Sequence, residues 1–324
     1  MRVIVTGGAG FIGSAFVRKL NLEGIDDILI VDELGTSDKW KNLRGLRFRD
    51  YWDKSELASS VLANHIDPVP DAIVHMGANS STTERDADHL IENNYRYTQR
   101  LAEWAVERNF RFIYASSAAT YGDGENGFSD EVPIETLMPL NMYGYSKQLF
   151  DLYAKRTGLA ERIVGLKFFN VFGPNEYHKE GMVSHVYRGC QQILETGSIR
   201  LFRSYRDDYN DGDQKRDFIY VKDCADCLWW LLNHPSVNGL FNLGTGQARS
   251  WNDLAYGLFT ALERPPRIEY IPMPEELQGR YQYFTEASMD KLAATGCPLP
   301  RYSLGEAIAD YVRGYLYPTL RYLG

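Results

Sequence analysis

Short apolar runs recur along the chain, each closed by polar residues or glycine. Residues 2–6 are rich in β-branched side chains. Residues 28–31 form a second run, closed by Asp32, and residues 72–76, 112–115 and 163–168 repeat the pattern. Short runs that are apolar at successive positions suit strands covered on both faces. Between them the spacing changes, and residues 14–20 and 93–106 carry helical periodicity. Strands alternating with helices predict an α/β fold, a Rossmann-like doubly wound parallel sheet.

After Pro174 the alternation weakens. Residues 175 to about 216 carry charge, aromatics and a loop. Residues 217–221 and 239–243 read as strands again. A helix follows from Ser250, then a strand over 268–271 and a final helix from Leu304 to about Tyr317. The expected organisation is a dinucleotide-binding Rossmann domain over residues 1–174, rejoined by strands and a helix from about 217–248. Residues 175–324 then make mainly a smaller C-terminal α/β substrate-binding lobe.

Composition narrows the function classes. The chain has 324 residues, 44% hydrophobic and 24% charged, enough to fill the core of one large domain or two moderate ones. Its net charge of −8 argues against a nucleic-acid surface, which needs basic clusters. A local Arg/Lys site for an anionic substrate stays compatible with it. No apolar run reaches the length of a membrane span, and residues 3–5 are too short for a signal-peptide core, so a cytoplasmic protein is expected. Cys224 and Cys227 form a C-x-x-C inside an apolar helical stretch, with no second pair or nearby His, so buried thiols and no metal site are expected. Residues 203–214 concentrate Asp207, Asp208, Asp211 and Asp213 around Gly212. Tyr209 stands at a ligand position of a calcium loop and Phe218 where its glutamate belongs, so a solvated loop is expected.

Two motifs carry chemistry. The first run leads into Thr6-Gly7-Gly8-Ala9-Gly10-Phe11-Ile12-Gly13, followed by a helix. Gly7, Gly10 and Gly13 would give a tight turn, backbone approach to a pyrophosphate and close helix–strand packing. The helix start adds free N–H groups and a positive dipole end. Asp32 ends the second strand about 20 residues later, where a carboxylate grips ribose hydroxyls. Asp32 and Glu33 favour NAD, because they would repel a 2′-phosphate. Lys39 and Lys54 could pair with that phosphate and admit NADP, or be ordinary surface lysines. NADP is the expected cofactor, with NAD open.

The second motif is Tyr143-Gly144-Tyr145-Ser146-Lys147. Four residues apart on a helix, Tyr143 and Lys147 share a face. A phenol has a pKa of about 10, and bringing it near 7 takes roughly 4 kcal/mol of phenolate stabilisation. An adjacent ammonium and a cationic nicotinamide could supply it, so an acidified Tyr143 is expected.

Before it stands Tyr114-Ala115-Ser116-Ser117-Ala118-Ala119-Thr120-Tyr121-Gly122. Beyond it come Phe169-Asn170-Val171-Phe172-Gly173-Pro174, Arg216-Asp217-Phe218-Ile219-Tyr220-Val221 and Asn242-Leu243-Gly244-Thr245-Gly246. With these the chain closely resembles the extended short-chain dehydrogenase/reductase family over nearly its whole length. The resemblance implies that Ser117 hydrogen-bonds the reacting oxygen. Family members that dehydrate nucleotide sugars carry an Asp-Glu pair where Ala118 and Ala119 stand here, which argues against dehydration.

The closer resemblance is to the family's ADP-heptose 6-epimerases. It is carried by His75-Met76-Gly77-Ala78-Asn79-Ser80-Ser81-Thr82-Thr83-Glu84, Asn175-Glu176-Tyr177-His178-Lys179 and Gly279-Arg280-Tyr281-Gln282. It implies catalysis by Tyr143, Lys147 and Ser117, with Lys179 as a second acid/base. On the residues alone, Lys179 could equally be a phosphate contact or a solvated loop lysine. The resemblance further implies a cofactor held by Gly7, Gly10, Phe11, Ile12, Gly13, Asp32, Glu33, Lys39 and Lys54. Met76, Gly77, Ala78, Asn79, Ser80, Asn93, Asn94, Val171 and Lys179 would join Tyr143 and Lys147 in holding it. Substrate would meet Ser80, Ser117, Asn170, Gly181, Arg188, Phe202, Arg216 and Tyr281. ADP-heptose as substrate, heptose supply for lipopolysaccharide core, and a homo-oligomer, pentameric in that group, are implied in the same way. A UDP-hexose 4-epimerase, which needs only the Tyr, Lys and Ser, remains open. So does a non-enzymatic NAD(P)-binding regulator, although such proteins usually lose the Tyr or the Lys.

Overall fold

The computed structural model describes residues 1–278 and 281–324. Gly279 and Arg280, part of the last motif quoted above, lie outside the described residues. The large sheet holds seven parallel strands: β1 (Val3–Thr6), β2 (Ile28–Asp32), β3 (Asp50–Asp53), β4 (Ala72–His75), β5 (Arg111–Ser117), β6 (Val164–Phe168) and β10 (Gly239–Leu243). Their spatial order is β10-β6-β5-β4-β1-β2-β3. The order reverses between β1 and β4, which opens a crevice at the carboxyl ends of these strands.

Alternate residues of each strand bury on opposite faces. Val3 and Val5 of β1 join one apolar cluster with Phe16 and Leu20 of α1 (Phe11–Leu22) and Leu228 of α7 (Val221–Leu232). Ile4 joins the other, with Leu57 of α2 (Lys54–Leu62), Leu101 of α4 (Tyr97–Glu107) and Phe150 of α5 (Met142–Thr157). Each fully buried Leu, Ile or Phe contributes roughly 1.5–3 kcal/mol, so both faces are firmly covered. Before α4, the short α3 (Ala87–Leu90) runs into a π-helical turn, Ile91–Arg96, that carries Asn93 and Asn94.

A third apolar cluster lies beyond the sheet. It unites Val186, Cys190 and Ile193 of α6 (His185–Thr196), Leu254 and Leu258 of α8 (Trp251–Ala261), and Ile308 and Tyr311 of α11 (Leu304–Tyr311). Two small sheets flank it. One is β11-β9-β7, from β7 (Asn170–Phe172), β9 (Lys215–Tyr220) and β11 (Ala248–Ser250). The other pairs β8 (Ile199–Phe202) with β12 (Ile268–Ile271). Two further short helices are α9 (Glu275–Gln278) and α10 (Asp290–Ala294).

Two expectations differ from this arrangement. The strand at 217–221, expected to rejoin the large sheet, pairs with β7 and β11 instead. Only β10 reaches the large sheet's edge, beside β6. The stretch at 175–216, where the expected feature is a loop, also holds α6 and β8. The residues 203–214 do form a loop with its acids engaged: Asp208 pairs with Arg206, Asp211 accepts from the Ser204 N–H, and Asp213 from the Asn252 amide. Cys224 and Cys227 are buried free thiols, and Cys227 faces Cys297 at 3.7 Å.

Candidate active site

A cleft of about 880 Å³ opens at the reversal point between β1 and β4. Its floor is the glycine turn. Gly7 holds φ +64°, and a Cβ there would stand 2.6 Å from the Gly77 nitrogen, so only glycine fits without displacing β4's exit loop. A Cβ on Gly13 would come within 2.0 Å of the Gly7 carbonyl oxygen. The first turn of α1 follows Gly10 with no side-chain cap, which leaves helix N–H groups for an anion. Gly7, Gly10, Phe11, Ile12 and Gly13 all line the cleft, as do Met76, Gly77, Ala78, Asn79 and Ser80 across from them. The cradle therefore fits a dinucleotide pyrophosphate.

At the cleft's far end the Asp32 carboxylate accepts from the Ala9 N–H at 2.8 Å and pairs with the Lys39 ammonium at 2.6 Å. Lys54 pairs with Glu33 and reaches Asn93. Asp32, Glu33, Lys39, Lys54 and Asn93 line an adjoining pocket of about 170 Å³. Each acid thus has its own ammonium, which weakens the repulsion of a 2′-phosphate expected from the acids alone. Asn94 is buried behind the cleft lining. Its amide donates to the Asn79 carbonyl at 2.9 Å and the Ser146 hydroxyl at 3.0 Å, bracing the Asn79 turn against α5.

Tyr143 and Lys147 stand on α5. Asn141 caps this helix by accepting from the Gly144 N–H at 2.9 Å, and Gly158 ends it in the left-handed region. Tyr143, Lys147 and Ser117 line the cleft together. Lys147 is buried, and its ammonium donates to the Ala115 carbonyl at 2.8 Å. Burial pushes it down to about 8, against the pull of the Asp151 carboxylate. Asp151 accepts from Tyr114 and Ser116 and pairs with the buried Lys167 at 3.1 Å.

The expected acid phenol is not a property of the chain by itself. Burial pushes Tyr143 above its ordinary value, and the nearby Ser117 hydroxyl only partly draws it back. The physical reason is desolvation of the phenolate, with the Lys147 ammonium directed at a backbone carbonyl.

On the opposite wall, Asn170, Val171, Lys179, Gly181 and Arg188 line the cleft. The Lys179 ammonium lies 5.3 Å from the ring centre of Phe11, and burial lowers its pKa against the attraction of Glu176. Arg216, Tyr281 and Phe202 sit one layer back. Arg216 stacks over Trp251 and Tyr281 at 5.7 and 5.2 Å, and Phe202 meets the Tyr281 ring edge at 6.2 Å. Trp251, which does line the cleft, donates its indole N–H to the Tyr281 hydroxyl at 2.9 Å.

His178, His185 and Trp251 line the cleft without having been singled out from the sequence. His178 is adjacent to Lys179 in a quoted motif, a signal that could have found it. Burial and the cations Arg188 and Arg216 hold His185 down to about 4, so both guanidiniums act on one region of the wall.

Fold and cleft together define a nicotinamide-dependent oxidoreductase scaffold of the short-chain type, with a Tyr/Lys/Ser set at its centre. Residues 3–244 match the model of the NAD dependent epimerase/dehydratase family, and the chain belongs to that family. It is 58% identical over 314 residues to an ADP-L-glycero-D-manno-heptose-6-epimerase of Nitratidesulfovibrio vulgaris (strain DP4), covering 97% of both chains. Its fold is similar to the crystal structure of the Helicobacter pylori ADP-L-glycero-D-manno-heptose-6-epimerase, with a TM-score of 0.81 at 27% identity over 97% of this chain and 96% of that one. It is also similar to the Thermus thermophilus UDP-glucose 4-epimerase in complex with NAD, with a TM-score of 0.73 at 25% identity over 97% and 98%.

Proposed function

We propose that this chain converts ADP-D-glycero-D-manno-heptose to its L-glycero epimer by transient oxidation at C6. The observation that supports the reading is that two titratable side chains, the Tyr143 phenol and the Lys179 amine, line one cleft from different elements. Inverting an exocyclic carbinol needs a proton handled on two sides, because the oxygen points the other way after the intervening ketone turns about C5–C6. NAD(P), which the Gly7–Gly13 turn and Asp32 would hold, would supply the redox chemistry as hydride acceptor for the carbinol and donor for the ketone. Ser117 orients the reacting oxygen, Tyr143 moves its proton in one orientation and Lys179 in the other. Lys147, cationic below about pH 8, shares a helix face with Tyr143 and, together with a cationic nicotinamide, would offset the burial that raises the phenol. Arg188, which lines the cleft, suits a diphosphate, with the charge of Arg216 one layer behind it.

The names of the relatives support the substrate. We place the enzyme in the cytoplasm and as a homo-oligomer, pentameric in the group it resembles. Among the described residues no helix is long and apolar enough to cross a membrane. A 4-epimerase of UDP-hexoses would use the same Tyr, Lys and Ser, and the similarity to such a structure favours keeping it in the test. NMR of the enzyme with ADP-D-glycero-D-manno-heptose should show the L-glycero epimer growing in with no net build-up of reduced cofactor. UDP-glucose should stay unchanged. The reverse pattern would assign the 4-epimerase.

A further inference from the structure

Lys179 lies in the short helical segment Tyr177–Met182, which bulges between β7 and α6. The segment contains Glu180 at φ 44°, a left-handed conformation that a residue with a side chain keeps only where its surroundings hold it. The residues flanking the segment bond to the carboxylate of Glu176, which is fully buried. It accepts from the Gly173 N–H at 3.3 Å before the segment and from the Ser184 hydroxyl at 2.7 Å after it. The Ser184 N–H and the Tyr311 hydroxyl, the latter at 3.0 Å, also donate to it. Both ends of the segment are therefore fastened to one carboxylate, which α11 secures from behind.

A buried carboxylate is costly unless donors and a cation compensate it. The nearby cation is Lys179. Around Lys179 the other groups are the Phe11 ring and His178, which burial holds down to about 4 and which Lys39 and Asp32 reach from the nucleotide side. Around Glu176 stand the phenols of Tyr177, Tyr187 and Tyr311, all pushed up by burial and so uncharged.

We infer that Glu176 is the positioning residue for Lys179: it clamps the segment that presents the amine to the cleft, and its charge favours the ammonium form there. This rests on the epimerase reading, in which Lys179 is one of two acid/base groups. Removing the charge leaves burial unopposed, so the pKa of Lys179 falls.

The test is the pH profile of kcat/KM for ADP-heptose epimerisation by cofactor-loaded enzyme, compared for wild type, Glu176→Gln, Tyr311→Phe and Lys179→Met. Glu176→Gln should lose about tenfold or more in kcat with a smaller change in KM. Its Lys179 limb should move to lower pH. Tyr311→Phe, which removes one donor and keeps the carboxylate, should move both quantities in the same direction by less. Lys179→Met should abolish the Lys179 limb and leave the alkaline limb that Lys147 sets near pH 8. Wild-type kcat and limb in Glu176→Gln, beside an inactive Lys179→Met, would overturn the inference and leave the two-base reading standing. Normal turnover in Lys179→Met would remove that reading, and the inference with it. Should Glu176→Gln not fold, Tyr311→Phe decides: an unmoved limb and unchanged kcat overturn the inference.

Discussion

The Lys147 ammonium on α5 donates to the Ala115 carbonyl at the end of β5, at 2.8 Å, and the Tyr143 phenol stands one helical turn before it. Burial holds this amine near 8, so it is cationic below that pH and neutral above it. Activity that needs the ammonium is therefore present on the acid side and lost as pH rises through about 8. The kcat/KM profile should show that alkaline limb. Tyr143→Phe should cut turnover on the order of 10² or more, as expected for a positioned acid/base, while cofactor binding measured by fluorescence titration stays close to wild type.

Cofactor choice turns on Lys39 and Lys54. Each neutralises one of the two acids beside the adenosine end of the cleft. Replacing both with Ala leaves Asp32 and Glu33 uncompensated, so NADP affinity should fall by roughly tenfold or more, while NAD affinity changes far less. Competitive titration of the two nucleotides reads the ratio, and equal losses for both would detach the lysines from discrimination.

The glycine turn makes a steric prediction. Gly13→Ala places a methyl 2.0 Å from the Gly7 carbonyl oxygen, which the turn can relieve only by moving. The expected cost is about 1–3 kcal/mol of stability, with loss of dinucleotide binding beyond what the stability change accounts for. Thermal melts with and without NADP measure both, and a ligand-induced rise in Tm equal to wild type would contradict it.

Acid should destabilise the fold through its buried histidines. His75 lies between the hydroxyls of Thr6 and Thr98, and burial holds it down to about 3; His178 and His185 are held down to about 4. The unfolded chain takes up these protons below about pH 6.5 and the folded chain does not, so stability is full above that pH and is lost as pH falls toward 4. Each such histidine contributes a slope of roughly 1.4 kcal/mol per pH unit in that window. Urea melts at pH 7 and 5.5 check the sign, and His75→Gln should flatten the slope.

Much of this molecule was legible because the signals were local. The apolar runs at β1, β2, β4, β5 and β6 sit where strands form, and the strand at 268–271 coincides with β12. The helix α6 was missed because Arg188, Gln191, Gln192 and Glu195 dominate its composition, although Val186, Cys190 and Ile193 keep helical spacing on its buried face. The edge strand β3, Asp50-Tyr51-Trp52-Asp53, is only partly buried and lacks an apolar run. Its partnering, like the placement of β9 in a small sheet, depends on tertiary contacts that no local pattern encodes. In the site, the glycine turn and the Tyr143/Lys147 spacing were readable within single elements. Trp251 and His185 were not, because they come from α8 and α6 and meet only when the chain folds. The direction of the Tyr143 shift also escaped the sequence, since desolvation depends on what covers the phenol.

The most direct test of the whole account follows one atom. Substrate carrying deuterium at C6 of the heptose should give the L-glycero epimer with the deuterium still on C6, in ordinary water, as read by ¹H and ²H NMR. Replacement of that deuterium by solvent hydrogen, or its appearance in stoichiometric reduced cofactor, would contradict epimerisation by oxidation and return at a single carbon.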